Sequence, residues 1–206
     1  VLKQLVTSLE EGGVFAYVAG QHFFKGANVL GAVAAVLFAM GAVAGEAHRG
    51  TLEILLARPV SRRRILTERY LQGALALVEP MILTTLTIPW LLTFVDEPGS
   101  LPPYLLAAVH ECIFLLAIYS VAFAWSCVGR RPLAIATGMI FVTILQFAIY
   151  LVERATHWSV VRLVDIEVLM RIYGQRTLDL TIVGPLVAVI VLAFAFSQLA
   201  FGRRVP

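Results

Sequence analysis

The most constraining feature of this sequence is a series of long apolar stretches, each close to the length of a membrane-crossing helix. A helix needs about 20 mainly apolar residues to cross the hydrocarbon core of a bilayer. The stretches that meet this requirement are residues 27–45, 70–95, 104–128, 133–152 and 180–201. The chain is 60% hydrophobic and only 14% charged, whereas soluble domains have about 25% charged residues. The sequence therefore predicts an all-α, polytopic transmembrane helical bundle with five spans, formed as one domain over residues 1–206.

Two polar stretches outside the predicted spans are amphipathic. Residues 1–26 carry scattered charges among apolar residues, which favours an interfacial segment before the first span. Residues 153–179 are too charged to cross the membrane, but apolar residues share one helical face there: Trp158, Val161, Val164, Val168, Leu169 and Ile172. We expect the 153–179 segment to lie along the extracytoplasmic membrane surface or to enter it partway.

The distribution of basic residues predicts the orientation of the bundle. Ten of the sixteen Lys and Arg residues lie in the loop after the first span, the loop after the third span and the C-terminal tail. The positive-inside rule places these three regions in the cytoplasm of a cell (inner) membrane, although four arginines in the 153–179 segment run against it. This orientation puts residue 1 outside. We therefore expect the native protein to have one further span at its start, six in all.

The sequence shows no set of residues suited to catalysis or metal binding. It lacks the G-x-x-x-x-G-K-[ST] loop that cradles phosphates, and its four histidines are dispersed along the chain. Cys112 and Cys127 sit about 22 Å apart if their segment is helical, which is too far for a disulfide. We expect no enzymatic activity, no cofactor bound by this chain and no nucleic-acid partner, with membrane lipid as its surroundings.

The polar loop at residues 46–64 has an ordered pattern of turn and capping residues. Gly50 permits a sharp turn, and Thr51 can cap a short helix that Pro59 ends. Ser61 can cap the helix that leads into the second span. An apolar stripe runs along the short helix, with Glu53 and Arg58 off it: Leu52, Leu55, Leu56 and Pro59. Two interpretations follow, namely a rigid lever that receives mechanical work from another protein, or an interfacial connector whose arginines set topology.

The residue order of this loop resembles the E-x-x-x-G-T-L-E-x-L-L-x-x-P-V-S-R stretch of ABC-2 type transporter permeases. The matching positions are Glu46, Gly50, Thr51, Leu52, Glu53, Leu55, Leu56, Pro59, Val60, Ser61 and Arg62. The ending Phe201-Gly-Arg-Arg is similar to the basic tail after that family's last span. The span layout agrees from the family's second span onward, and the family's first span is absent from this chain.

The resemblance implies the membrane-spanning permease of an ABC exporter, which works with a second permease copy by alternating access. Two separate ATP-binding cassette subunits use ATP and Mg²⁺ to drive it. The loop between the family's second and third spans contains the coupling helix that docks on the ATPase. The ATPase-coupling residues implied here are Glu46, Arg49, Gly50, Thr51, Leu52, Glu53, Leu55, Leu56, Pro59, Ser61 and Arg62. The alternative is a membrane anchor or assembly factor that uses the same loop to recruit a cytoplasmic partner without transport.

Polar residues inside the predicted spans are candidates for a translocation path, because charged side chains are costly in a membrane. Glu79 sits midway along the second span beside Pro80. It either faces such a path or packs between helices in a protonated or paired state. Gln146 in the fourth span has interhelical hydrogen bonding as its alternative role. The Gly41-Ala-Val-Ala-Gly45 stretch permits close helix approach, within the bundle or at a dimer interface.

Overall fold

The computed structural model describes residues 13–57, 59–97 and 99–203, and the regular structure within these ranges is helical. Helix α1 spans Gly13–Arg49 and contains π-helical turns at Ala19–Gly31 and Gly41–Gly45. The short helix α2 spans Leu52–Leu56, and α3 spans Arg62–Leu92 before a 3-10 turn at Thr93–Val95. Helices α4 and α5 span Leu101–Val128 and Pro132–Leu151. After 3-10 turns at Thr156–Trp158 and Val160–Val164, α6 spans Ile166–Gln175 and α7 spans Leu180–Gly202.

Five of these helices are long and apolar enough to cross a membrane, namely α1, α3, α4, α5 and α7. The predicted all-α transmembrane bundle is therefore confirmed. Helix α3 continues through Pro80 and Pro89, as the predicted second span requires. Nearby hydroxyls hydrogen bond to the backbone of this helix, with Thr84 Oγ1 donating to the Pro80 carbonyl over 2.8 Å.

The first helix differs from the prediction at its beginning. Residues 13–26, expected in a separate interfacial segment, continue into the first span as one helix. The helix begins at Gly13, whose φ of 56° lies in the left-handed region that glycine adopts readily. Helix α1 has 37 residues. At 1.5 Å per residue it is roughly 55 Å long, more than the hydrocarbon core of a bilayer. Residues 1–12 lie outside the described part of the chain.

Helix α4 forms the centre of the bundle and packs against α1, α3 and α7. The most apolar part of α4 is 61% buried, whereas that of α7 is 17% buried. Buried small residues such as Ala107, Ala117 and Ala122 let the neighbouring helices approach closely. The Gly41–Gly45 stretch also approaches α4 closely within this chain, because the backbone N–H of Ala44 donates to Ser126 Oγ on α4 over 2.9 Å.

The 153–179 segment consists of several short helices and not of one continuous helix. Extended backbone at Ser159 and Asp165 separates its short helices, so the helical phase assumed from residue spacing is lost. Leu169 and Ile172 are buried against the protein, and the Tyr173 ring stacks on Phe15 with centroids 4.0 Å apart. The predicted apolar face therefore packs on the bundle. Trp158, expected on that face, is 75% exposed instead.

Candidate functional site

The polar loop between α1 and α3 forms a compact elbow over residues 46–62. Helix α1 ends where Gly50 adopts a φ of 72°, a left-handed conformation that suits glycine. The Thr51 N–H then donates to the Glu46 carbonyl over 3.1 Å, which closes the turn. The predicted turn at Gly50 is therefore present, and it separates the end of α1 from the short helix α2.

The Glu46 carboxylate gathers the polar groups of the elbow. It lies 3.1 Å from the Arg49 guanidinium and 3.6 Å from that of Arg69 on α3. It also accepts a hydrogen bond from the Thr51 hydroxyl. The Thr51 side chain, predicted as a cap for the short helix, is thus bonded to the end of the preceding one. These contacts join the end of α1, the turn and the start of α3 into one unit.

Helix α2 rests on the bundle through its apolar stripe. Leu52 is 6% exposed and belongs to the main hydrophobic core, and the half-buried Leu56 packs against the same core. Pro59 at the end of the predicted stripe is exposed. The side chain of Leu55 and the whole of Arg58 lie outside the described part of the structure. Leu52 therefore attaches α2 to its own protein, and the half-buried Leu56 contributes to this attachment.

The outward face of the elbow carries Ile54, an apolar residue at a position that the family motif leaves unspecified. Ile54 is 67% exposed and lies beside the exposed Glu53, and Val60 is 38% exposed. The sequence holds a signal for it, since Ile54 stands two residues from both Leu52 and Leu56 and so falls on the opposite side of the helix. The exposed surface of the elbow thus combines an apolar centre with charged neighbours.

The elbow also connects to the last helix. Ser61 Oγ accepts a hydrogen bond from the backbone N–H of Arg64 over 3.3 Å, which confirms the predicted cap of α3. The Arg62 guanidinium donates to the Gly202 carbonyl at the end of α7 over 3.5 Å. One turn further along α3, Gln198 Nε2 on α7 donates to Thr67 Oγ1 over 3.0 Å. The ends of three spans, α1, α3 and α7, therefore meet at the elbow.

The two candidates for a translocation path are not brought together. Glu79 is exposed on α3, so it does not pack between helices of this chain. The Gln146 side chain accepts a hydrogen bond from the Val160 N–H over 3.0 Å, and it lines an apolar groove that Glu79 does not reach. Gln146 thus bonds to the backbone of a connecting segment and not to another spanning helix.

Within the described residues, no cluster of three or more His, Cys, Asp or Glu side chains has an arrangement that could hold a metal ion.

The sequence matches the family model described as ABC-2 family transporter protein over residues 2–204. A search of curated proteins and a search of solved structures found no match.

Proposed function

The chain belongs to the ABC-2 transporter family, and we propose that it is the permease subunit of an exporter driven by a separate ATP-binding cassette protein. That partner binds ATP and Mg²⁺ and docks on the elbow. The observation that carries the proposal is the construction of the elbow. It is a short helix fixed to its own bundle on one side and exposed on the other, at the point where three spans end.

The fixed side of the elbow explains how movement passes into the membrane. Leu52 is buried in the core of the bundle, and Glu46 joins the end of α1 to Arg69 on α3. A displacement of α2 therefore moves the ends of α1 and α3 together. ATP-dependent closure of the partner shifts the bundle between inward-open and outward-open states, because each state favours a different position of the elbow.

The exposed side supplies the docking surface. Buried apolar anchors surrounded by polar contacts carry most of the binding energy in protein interfaces. Ile54 is such an anchor, because it is 67% exposed and stands beside the exposed carboxylate of Glu53. Val60, Arg63 and Arg64 are also exposed and extend this surface. The coupling residues thus divide into those that hold the elbow and those that contact the partner.

The same proposal includes an orientation of the protein in the membrane and its assembly with a second copy. Ten of the sixteen Lys and Arg residues lie in the elbow and the start of α3, in the loop after α4 and in the C-terminal tail, so we place these regions in the cytoplasm of the cell membrane. A second permease copy completes the transporter, and lipid covers the remaining apolar helix faces. The partner dimer then contacts one elbow of each copy.

The test uses proteoliposomes that contain the permease and its cognate ATP-binding subunit. Replacing Ile54 with Asp is expected to lower both association and coupled export at least about tenfold, since a charge replaces an interface anchor. The matched control is Val95→Asp in the 3-10 turn that follows α3, where Val95 is 63% exposed. The control is expected to keep association and export near wild type.

Different outcomes separate the two functions considered. If Ile54→Asp and Glu46→Arg both retain association and export, the elbow is not the docking site. If wild-type protein binds the partner but no substrate crosses the membrane on ATP addition, the anchor or assembly function is correct instead. A partner without a phosphate-binding loop leads to the same conclusion.

A further inference from the structure

The interior of the bundle contains a carboxyl group that the proposed coupling does not use. Glu111 on α4 is completely buried, and neither of its carboxylate oxygens has a hydrogen-bond partner among the described residues. The Asn28 Nδ2 atom on α1 is also buried and unpartnered within the same part of the chain. A polar group left unpaired in an apolar interior is costly, so its position calls for a specific explanation.

These two side chains lie at the same depth in the bundle. Gly31 abuts Leu115 so closely that an added Cβ would come within 2.6 Å of the leucine Cδ1. Ala44 meets Ser126 further along both helices, so α1 and α4 run parallel. Asn28 is three residues before Gly31, and Glu111 is four residues before Leu115. Asn28 and Glu111 therefore each lie about one helical turn before the contact of Gly31 with Leu115, at about the same depth in the bundle.

An independent irregularity marks the same level of α1. Asn28 lies within the π-helical stretch Ala19–Gly31. Wide π-helical turns are rare in proteins and occur frequently at functional sites. The irregular helix and the buried carboxyl thus coincide in depth.

A large apolar groove lies beside the stretch of α4 that follows Glu111. Its volume is about 710 Å³, and side chains of α1, α4, α5 and α7 line it. On α4 the lining includes Phe114, Ile118 and Val121. Glu111 precedes Phe114 by three residues and Ile118 by seven, so it continues the stripe of α4 that faces the groove. Asn28 also lines the groove, on its α1 side.

Among the unpaired polar groups described at this level, the Glu111 carboxyl and His110 Nδ1 offer acceptors, whereas the Asn28 Nδ2 atom is a donor. When paired with a cationic ligand, the ionised Glu111 carboxylate accepts hydrogen bonds and does not donate them. His110 Nε2 lies 2.7 Å from the Leu163 carbonyl oxygen. A carbonyl only accepts, so Nε2 carries the proton, and in the uncharged ring Nδ1 is an acceptor. That Nδ1 atom is buried and has no partner among the described residues. A ligand group with several N–H donors and a positive charge complements Glu111 and its neighbour.

We propose that the groove and Glu111 form an intramembrane binding site for an amphiphile with a primary ammonium group. The apolar body of the ligand occupies the groove, and its three N–H donors face the Glu111 carboxylate. Glu111 is now covered, so binding requires local rearrangement of the side chains at this end of the groove. The ligand is either a free long-chain amine or an aminolipid of the membrane, since both present the same chemistry.

The test measures binding to the permease alone, in phosphatidylcholine nanodiscs, so it does not depend on ATPase coupling. Tritiated dodecylamine is the probe, and tritiated dodecanol is the uncharged probe of equal chain length. Glu111→Gln is expected to weaken amine binding at least about tenfold, because a charge-assisted bond is lost, and to leave dodecanol binding unchanged. Glu111→Asp is expected to restore part of the amine affinity. The matched control is Glu68→Gln, since Glu68 is exposed on α3.

A second variant keeps the test valid if Glu111→Gln does not fold. Val121 lines the groove, and Val121→Trp is expected to reduce the binding of both probes by filling it. Displacement of dodecylamine by added phosphatidylethanolamine supports the site with an aminolipid as its ligand, and lack of displacement supports a free amine. Equal amine affinity in wild type and folded Glu111→Gln overturns the proposal. So does wild-type protein that binds amine and alcohol equally well.

Discussion

The two ends of the bundle use short amphipathic helices in different ways. At one end, the elbow places Leu52 in the core and leaves Ile54 67% exposed. At the other end, α6 buries Leu169 and Ile172 against the bundle, and Asp165 beside them is only 7% exposed. The elbow thus divides its apolar side chains between its own protein and the outside, whereas α6 uses its main apolar face entirely within the protein.

This difference shows that an amphipathic pattern identifies an apolar face but not the surface that covers it. The stripe of the elbow and the stripe of α6 look alike in sequence, and both pack on the bundle. What distinguishes the elbow is Ile54 on its polar side, which is 67% exposed, whereas Tyr173 on α6 is 41% exposed and stacks on Phe15. The surface free for a partner is therefore marked by Ile54 and not by the stripe.

The largest effect that tests this comparison is on stability. Leu169→Ala is expected to lower the free energy of unfolding by about 2–5 kcal/mol, since it removes a fully buried side chain and leaves a cavity. Ile54→Ala is expected to change it by no more than about 0.5 kcal/mol, because the site is exposed. Reversible unfolding of both variants in mixed micelles measures the difference. Equal losses would show that the elbow packs as α6 does.

The parts of this fold that depend on local sequence were predictable. Long apolar runs specified the five spanning helices. Gly50 adopts a positive φ because it lacks a Cβ, and Ser61 caps α3 through its own hydroxyl. The cytoplasmic placement of the elbow and its role in coupling remain predictions. The motif identified Glu46, Thr51 and Leu52 as site residues, but it did not predict which groups they contact.

The parts that depend on contacts distant in sequence were not predictable. Arg69 reaches Glu46 only because α1 and α3 come together in the bundle. The amphipathic pattern of the 153–179 segment does not show that α1 and α4 cover its apolar face, and its position at the membrane surface stays a prediction. The complete burial of Glu111 has the same origin, since it lies on a helix that other helices surround. One sequence without its tertiary contacts contains no signal for any of the three.

The second prediction concerns pH and acts on the 153–179 segment. Burial raises the pKa of Asp165 to about 6 from its ordinary value of 3.8, with the neighbouring Glu167 adding to the rise. The folded protein therefore holds this proton more tightly than the unfolded chain does. The stability from this group is fully present below pH 3.8 and is lost as the pH rises through about 6. A shift of about two pKa units corresponds to about 3 kcal/mol.

Unfolding at a series of pH values between about 4 and 7 measures this loss. Asp165→Asn is expected to remove this part of the pH dependence while keeping a capping side chain for α6. Asp179 is the internal control, because hydrogen bonds from Thr181 lower its pKa. Its contribution has the opposite sign, being present above pH 3.8 and lost as the pH falls. An unchanged pH profile in Asp165→Asn would contradict the assignment.

The smallest change in the free energy of unfolding is expected for a substitution in the elbow. Glu46→Gln weakens the contacts with Thr51, Arg49 and Arg69, but Arg49 and Arg69 are partly exposed. The expected loss in the free energy of unfolding is therefore only about 1 kcal/mol. The matched control is Glu68→Gln, which breaks the more exposed pair with Arg64 and is expected to cost less than about 0.5 kcal/mol.

Hydrogen exchange separates a local effect from a global one. The Thr51 N–H closes the turn by donating to the Glu46 carbonyl, and the Glu46 side chain holds the same turn from its other side. Glu46→Gln is therefore expected to speed exchange at Thr51 several-fold while leaving Leu169 protected. Faster exchange at both ends of the bundle would mean that Glu46 supports the whole fold. Faster exchange at the elbow alone would support its role as a locally rigid unit that passes movement to α1 and α3.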